Sequence, residues 1–192
     1  MLASGSGTNL QALIDNPEVG PRIVLVVSDR ADAGALGRAD AAGIPTAVTP
    51  YDDHPDRDSF SVALADAVEG SGAKGVVLAG FMRVLSPSFI DRFPGRILNI
   101  HPSLLPAFPG PRPVALALAH GARVTGVTVH FVDEQVDHGP IIAQEAVAVE
   151  DADTVDTLHA RIQTVEHRLY PEIVRLFVTG DLYLDGSRVV SP

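Results

Sequence analysis

The feature that most restricts the fold of this chain is a repeated alternation of short apolar runs with segments of helical periodicity. The runs Arg22 to Asp29 (RIVLVVSD) and Gly75 to Ala79 (GVVLA) are continuously apolar, which is typical of strands buried on both faces. Two segments that are typical of helices, Ala33 to Ala42 and Asp58 to Val68, lie between them. This order predicts an α/β fold with a Rossmann-like, doubly wound, mostly parallel sheet and helices on both faces.

The second half predicts a different arrangement of strands. Thr125 to Phe131 and Ile141 to Val149 flank a turn signal, which favours an antiparallel pair. The other predicted elements are strands Ile44 to Val48 and Ile97 to Ile100, helices Ser86 to Phe93, Val114 to His120 and Thr154 to Val178, and a hairpin over Asp181 to Val190 turning at Asp185-Gly186. Asp32 is the expected N-cap of the helix that starts at Ala33, and Pro171 is expected to kink the last helix or to start a new one.

Size and charge narrow the class of protein. The 192 residues predict one domain over 1–192, and the net charge of −10 argues against a nucleic-acid-binding surface. The absence of Cys excludes disulfides and thiolate metal sites, and no apolar run has the ~18 residues that a membrane span needs. We therefore expect a soluble, cytoplasmic protein, monomeric or homodimeric, with small-molecule rather than nucleic-acid or membrane partners.

A glycine-rich turn is the first candidate site. Ser4 to Leu10 (SGSGTNL) follows a short strand and opens a helix, where free backbone N–H groups attract anions. The dinucleotide pattern needs glycine where Leu10 stands, and the Walker pattern needs lysine where Thr8 stands. The segment predicts either a site for a monophosphate or a tight turn without a ligand.

Asn99 and His101 form the second candidate site. They lie two residues apart at the end of a predicted strand, so their side chains point to the same face. An amide donor beside an imidazole can stabilise an oxyanion and move a proton. Asp137, in the loop after the next strand, could hold His101 in its charged form, although alone it is more typical of a turn residue that caps its own backbone.

The segment Phe81 to Leu85 offers two interpretations. Its loop could bind a planar ring, or Arg83 could be a solvated surface charge, which is the slightly favoured interpretation. The seven histidines show no spacing typical of a metal site, so no metal is expected.

Several stretches together resemble the folate-dependent formyltransferases. The matching segments are LASGSGTNLQALI, VVLAGFMRVLSP, ILNIHPSLLPAFPG, VTGVTVHFVDEQVDHGPII and RIQTVEHRLYP. The combination of NxHPSLLP with a later DxGP is specific to that family. The N-terminal SGxGTNLQ is similar to the branch that acts on glycinamide ribonucleotide.

The resemblance implies a reaction and a set of residues. The formyl group of 10-formyltetrahydrofolate, a cosubstrate, would pass to the amine of glycinamide ribonucleotide in purine biosynthesis, with no metal. The family's catalytic positions fall on Asn99, His101 and Asp137. Its nucleotide-binding positions fall on Gly7, Thr8, Asn9, Gln163 and Glu166. Its folate-binding positions fall on Arg57, Met82, Arg83, Val84, Leu85, Asn99, Asp133, Glu134, Gln135, Val136 and Asp137.

Two departures from the family pattern leave alternatives open. The first strand is only Met1 to Ala3, and Pro111-Arg112-Pro113 replaces a stretch that usually contains His. A formyltetrahydrofolate hydrolase would carry an N-terminal regulatory domain. A methionyl-tRNA formyltransferase would carry a C-terminal barrel and a basic surface. A catalytically impaired folate- or nucleotide-binding protein is the alternative from another class.

Overall fold

Strands and helices alternate along the chain in the predicted order. The computed structural model describes residues 1–185 and 188–190. The chain divides into two units, residues 1–98 and residues 99–192, so the single domain over 1–192 stays a prediction. No helix in the described ranges combines the length and the apolar composition needed to cross a bilayer.

The first unit contains most of the helices. Its elements are α1 (Thr8–Ile14), β1 (Val26–Ser28), α2 (Gly34–Ala41), β2 (Thr46–Val48), α3 (Arg57–Gly70), β3 (Val76–Leu78), α4 (Pro87–Ile90) and the start of β4 (Ile97–His101). The second unit contains the end of β4, α5 (Pro113–Ala119), β5 (Val124–Phe131), β6 (Ile141–Ala148), α6 (Val155–Thr179), β7 (Tyr183–Asp185) and β8 (Arg188–Val190).

The first three residues join the parallel strands of the first unit. β1 pairs in parallel with β2, and Leu2 forms parallel bridges to Val27 on one side and Leu78 on the other. The Leu2 N–H donates to the Val77 carbonyl at 2.9 Å, and the Val27 N–H donates to the Met1 carbonyl at 2.9 Å. Leu2 is fully buried. The short first strand noted in the sequence is therefore sufficient to connect β1 with β3.

The antiparallel part lies in the second unit, as the sequence predicts. β5 pairs antiparallel with β6 from Val124 opposite Ala148, and the register shifts between Val129 and His130. β7 and β8 also pair antiparallel, which confirms the hairpin, although Gly186 of the predicted turn lies outside the described residues. The predicted α/β class, with parallel pairing followed by an antiparallel C-terminal part, is confirmed.

The structure corrects three local predictions. The strand predicted from Arg22 begins only at Val26, because the preceding residues form a turn in which the Ile23 N–H donates to the Gly20 carbonyl. Asp32 does not cap α2, since its carboxylate pairs with Arg30 at 2.9 Å and Ala33 takes the N-cap position. Pro171 does not start a new helix.

α6 is one continuous helix of 25 residues with Pro171 inside it. A proline in a helix interior removes one backbone hydrogen bond and crowds the preceding turn. Here Pro171 is buried, and so are the apolar residues of the same stretch, Leu169, Tyr170, Ile173 and Val174. Burial of this apolar face offsets the loss of one hydrogen bond, so the helix continues.

The contacts of Asp153, just before α6, predict a pH-dependent contribution to the free energy of unfolding. Asp153 accepts hydrogen bonds from Arg161, from the Glu150 N–H and from the Thr157 hydroxyl, which lower its pKa from 3.8 to about 2. Because the folded pKa is depressed, this stabilisation is present above pH 3.8 and is lost as the pH falls toward about 2. Urea unfolding should show Asp153→Asn as destabilising at pH 7, with the difference from wild type shrinking below pH 3.8.

The neighbouring Asp151 provides the control. It pairs with Arg123, and both side chains are exposed to solvent. Asp151→Asn removes the same charge but should change the unfolding free energy little at either pH, because exposed ion pairs contribute little. A loss for Asp153→Asn that stays constant down to the lowest pH would contradict the assignment.

Candidate active site

The second unit brings three predicted site residues together. Asn99 and His101 lie at the end of β4, and Asp137 lies in the loop after β5. The Asn99 amide Nδ2 donates to Asp137 Oδ1 at 3.4 Å, and His101 Nδ1 lies 3.3 Å from Asp137 Oδ2. The side chains of His101 and Asp137 are only 7% and 10% exposed. The cluster therefore combines an amide, an imidazole and a carboxylate in a largely buried setting.

The Asp137 side chain accepts a hydrogen bond from another loop rather than from its own turn. Its carboxylate Oδ2 accepts the Gly110 N–H at 2.7 Å, and its backbone has φ 52°, in the left-handed region. Asp133 stabilises the local turn instead, accepting the Gln135 N–H at 3.0 Å and facing His138 Nδ1 at 2.8 Å. The interpretation of Asp137 as a residue that caps its own turn is therefore wrong.

The pKa of Asp137 reflects opposing effects. Burial raises this pKa, but a hydrogen bond from His130, the Gly110 N–H and the nearby His101 and His130 charges lower it by more. The net pKa of Asp137 therefore lies below its ordinary value of 3.8. Asp137 is an anion at neutral pH and can hold a cationic partner.

His101 is held at both ring nitrogens. Its Nε2 lies 2.9 Å from the Phe108 carbonyl oxygen, which can only accept, so Nε2 carries a proton. Its Nδ1 faces the Asp137 carboxylate, which is also an acceptor. The ring is therefore fixed between a backbone carbonyl on one side and a carboxylate on the other.

His130 belongs to the same cluster, although the sequence analysis did not select it. It is 1% exposed on β5, its Nε2 lies 3.2 Å from Asn99 Nδ2, and its Nδ1 donates to the Phe131 carbonyl at 2.8 Å. The same Nε2 lies 3.7 Å from Asp137 Oδ1, so this ring borders both Asn99 and Asp137. The available signal was an ionisable side chain in a strand whose other buried residues are uncharged.

Two backbone features hold the loops of the cluster. The segment Pro111-Arg112-Pro113, where the family usually has His, places Arg112 at φ 60° as the N-cap residue of α5. A Cβ added to Gly139 would lie 2.1 Å from the Phe131 carbonyl oxygen, closer than any real contact. The loop that carries Asp137 therefore returns against the end of β5 only because residue 139 lacks a side chain.

The glycine-rich turn lies in the first unit. Gly7 has φ 75° and is the N-cap residue of α1, which begins with Thr8 and Asn9. A Cβ at Gly7 would lie 2.6 Å from the Ala35 Cα, so α2 packs directly against the turn. Close backbone packing and a positive φ both require glycine here.

The segment Met82 to Leu85 presents apolar side chains to solvent. Met82 is 73% and Val84 45% exposed, whereas Leu85 is buried. Arg83 Nε donates to the buried Asp29 carboxylate at 2.7 Å, and its guanidinium lies 4.5 Å from the centre of the Tyr51 ring. The interpretation of Arg83 as a solvated surface charge is therefore wrong, because an ion pair and a ring contact fix this side chain.

The remaining predicted residues lie on helices. Arg57 is exposed at the first position of α3. Gln163 and Glu166 lie three residues apart on α6, which places them on one face, with Glu166 only 4% exposed. Burial and the Glu166 charge together raise the pKa of Tyr170 well above its ordinary value. Within the described part of the chain, no three His, Asp or Glu side chains are grouped to hold a metal ion.

Known proteins resemble this chain over nearly its whole length. The family described as formyl transferase matches residues 1–174. A phosphoribosylglycinamide formyltransferase of Mycobacterium tuberculosis is 46% identical over 188 residues, which are 97% of this chain and 87% of the relative. The crystal structure of glycinamide ribonucleotide transformylase 1 from Symbiobacterium toebii superposes with a TM-score of 0.95 at 50% identity, covering 99% of this chain and 91% of that one.

A longer protein also contains a matching segment. The trifunctional purine biosynthetic protein adenosine-3 of Gallus gallus is 48% identical over 183 residues, which are 94% of this chain. The chain spans only 18% of the length of that relative. The match therefore concerns one segment of the larger protein.

Proposed function

This chain belongs to the formyl transferase family, and from that premise we propose that it transfers the formyl group of 10-formyltetrahydrofolate to the amine of glycinamide ribonucleotide. The observation that carries the proposal is the buried cluster of Asn99, His101 and Asp137. The similarity to single-function phosphoribosylglycinamide formyltransferases over 87% or more of their length supports the choice of substrates. The folate is a cosubstrate, and the chemistry requires no metal.

The reaction needs stabilisation of a developing negative charge. When the amine attacks the formyl carbon, the formyl oxygen becomes an oxyanion in a tetrahedral intermediate. The intermediate collapses as the bond from the formyl carbon to N10 of the folate breaks, and the tetrahydrofolate leaves with a proton on that nitrogen. In this proposal the Asn99 amide and the protonated His101 donate hydrogen bonds to that oxygen. Hydrogen-bond donors fixed in a water-poor site lower the barrier because they need no reorganisation during the reaction.

His101 requires a change of partner to reach the substrate. Its Nε2 donates to the Phe108 carbonyl, so in this proposal the formyl oxygen replaces that carbonyl as the acceptor. The Asp137 contact at Nδ1 is retained during the exchange, which keeps the ring charged and oriented. Asp137 also provides the base, acting through water, that takes the proton released by the amine and passes it to the leaving folate nitrogen.

We assign the other predicted residues to parts of the two substrates. The turn of Gly7, Thr8 and Asn9 takes the nucleotide phosphate, because backbone N–H groups at a helix start attract an anion. Gln163 and Glu166 take other polar groups of the nucleotide. The folate is assigned to the segment Met82 to Leu85, whose Met82 and Val84 side chains are exposed, to Arg57 and to the loop Asp133 to Asp137.

A single assay separates this function from its alternatives. The purified chain is incubated with 10-formyltetrahydrofolate and with glycinamide ribonucleotide, methionyl-tRNA or no acceptor, and formylated product and free formate are measured by mass spectrometry. We expect formylated glycinamide ribonucleotide and neither formylated tRNA nor rapid formate release. His101→Ala serves as the control for background transfer. Formate release without acceptor, or binding without turnover, would overturn the proposal.

A further inference from the structure

Arg38 of α2 connects the two sides of the glycine-rich turn. Its Nε donates to the Ser6 carbonyl at 2.8 Å, immediately before Gly7. Its Nη1 donates to the Gln11 side-chain oxygen at 3.2 Å, on the first turns of α1. One planar guanidinium thus fixes the residue that enters the turn and a residue that follows it.

Backbone contacts from α2 reinforce the same connection. The Ala35 N–H donates to the Gly5 carbonyl at 3.1 Å. A Cβ at Gly34 would lie 3.1 Å from the Ser6 carbonyl oxygen. The conformation of the turn is therefore set by α2 as well as by its own glycines. A substitution at Gly7 disturbs this packing together with any ligand, so it cannot test the ligand contact alone.

Arg38 also differs in its charge environment from the six arginines that form ion pairs. Six arginines pair with carboxylates: Arg30, Arg83, Arg92, Arg123, Arg161 and Arg168. Among the residues that the structure describes, no carboxylate lies within ion-pair distance of Arg38, whose hydrogen bonds go to a carbonyl and an amide oxygen. In a chain of net charge −10, this cation beside the turn keeps its charge available to an anion.

We propose that Arg38 is a positioning residue for the phosphate monoester of the nucleotide substrate. It holds the peptide groups of Ser6 and Gly7 in the conformation that binds the phosphate, and its charge offsets the repulsion between that dianion and the acidic chain. This inference rests on the proposed function, because it assigns the turn to the phosphate of glycinamide ribonucleotide. It adds a residue outside the turn that determines selectivity for a phosphorylated acceptor.

The test compares Arg38→Gln, which removes the charge, with Arg38→Lys, which keeps it but loses the paired donation. We expect Arg38→Gln to raise the KM for glycinamide ribonucleotide about tenfold, since hydrogen bonds from charged groups contribute more than neutral ones. The KM for 10-formyltetrahydrofolate and kcat should stay within about twofold. Arg38→Lys should lie between wild type and Arg38→Gln. Arg30→Gln, which removes an equal charge from an exposed pair, should leave all three constants unchanged.

A binding measurement without turnover completes the experiment. Titration of ribose 5-phosphate by calorimetry should give a Kd about tenfold weaker for Arg38→Gln than for wild type at low salt. That difference should narrow as ionic strength rises. If the wild type is active and the Arg38→Gln variant keeps the wild-type KM and Kd, the role of Arg38 is overturned but the proposed function is not. Equal increases in both KM values with a lowered Tm would also overturn it, whereas a wild type inactive with glycinamide ribonucleotide overturns the proposed function.

Discussion

An Asp137→Asn variant should lose at least about 100-fold in kcat, because each 1.36 kcal/mol of transition-state stabilisation is roughly tenfold in rate. The amide keeps the shape of the side chain but removes the charge that faces His101 Nδ1 at 3.3 Å. It also replaces the base that receives the proton of the amine. The Kd for glycinamide ribonucleotide should change little, since neither His101 nor Asp137 is assigned to the phosphate.

The double variant distinguishes a coupled pair from two independent residues. His101→Ala should be about as damaging as Asp137→Asn, and the double variant should be little worse than either, because groups that act as a unit are non-additive. The measurement is kcat for the three variants across the pH range in which wild type is stable. Additive losses, or wild-type kcat in Asp137→Asn, would show that the contact has no catalytic role.

Gly139→Ala should lower kcat by about 100-fold without changing any side chain of the cluster, since displacement of a catalytic group by about 1 Å has effects of that size. The added methyl group would meet the Phe131 carbonyl oxygen at 2.1 Å and the Asp133 nitrogen at 3.2 Å. Both neighbours are backbone atoms, so the loop itself must move. Asp137, two residues away, would then lose its contacts with Gly110 and His101.

Gly121→Ala is the matched control for this loop. Gly121 has φ 73° but nothing lies within 4 Å of an added Cβ, so its substitution introduces backbone strain without a clash. We expect a stability loss of about 1 kcal/mol and an unchanged kcat. Steady-state kinetics together with thermal unfolding separate the two effects. If Gly139→Ala lost no more kcat than Gly121→Ala, steric positioning of the Asp137 loop would be refuted.

The sequence predicted the elements that follow from burial and failed where a local contact decided the outcome. Continuous apolar runs identified β1 and β3, because strands buried on both faces need no polar alternation. The first of these runs predicted a strand that begins at Arg22, whereas β1 begins at Val26, because Gly20–Arg22 forms a turn. Asp32 was a reasonable N-cap by residue type, but Arg30 competes for its carboxylate.

The candidate site, too, could be predicted only in part from the sequence. Asn99 and His101 could be paired from their spacing along one strand, whereas the contact with Asp137 needed the resemblance or the structure. The Phe108 carbonyl that occupies His101 Nε2 could not be inferred, because backbone acceptors carry no residue-type signal. Arg38 was missed for a similar reason, since its partners are a carbonyl and an amide oxygen rather than a carboxylate.

The position of Leu2 has a consequence for the order of events during folding. Leu2 hydrogen-bonds with Val77 and Ala79 and bridges to Leu78, so its strand is completed by partners more than seventy positions away along the chain. Until β3 is in place, the apolar side chain of Leu2 lacks the neighbours that bury it. Contacts of such large sequence separation slow folding, because the intervening loop must be closed first. The sheet of the first unit is therefore closed by a contact that local structure alone cannot form.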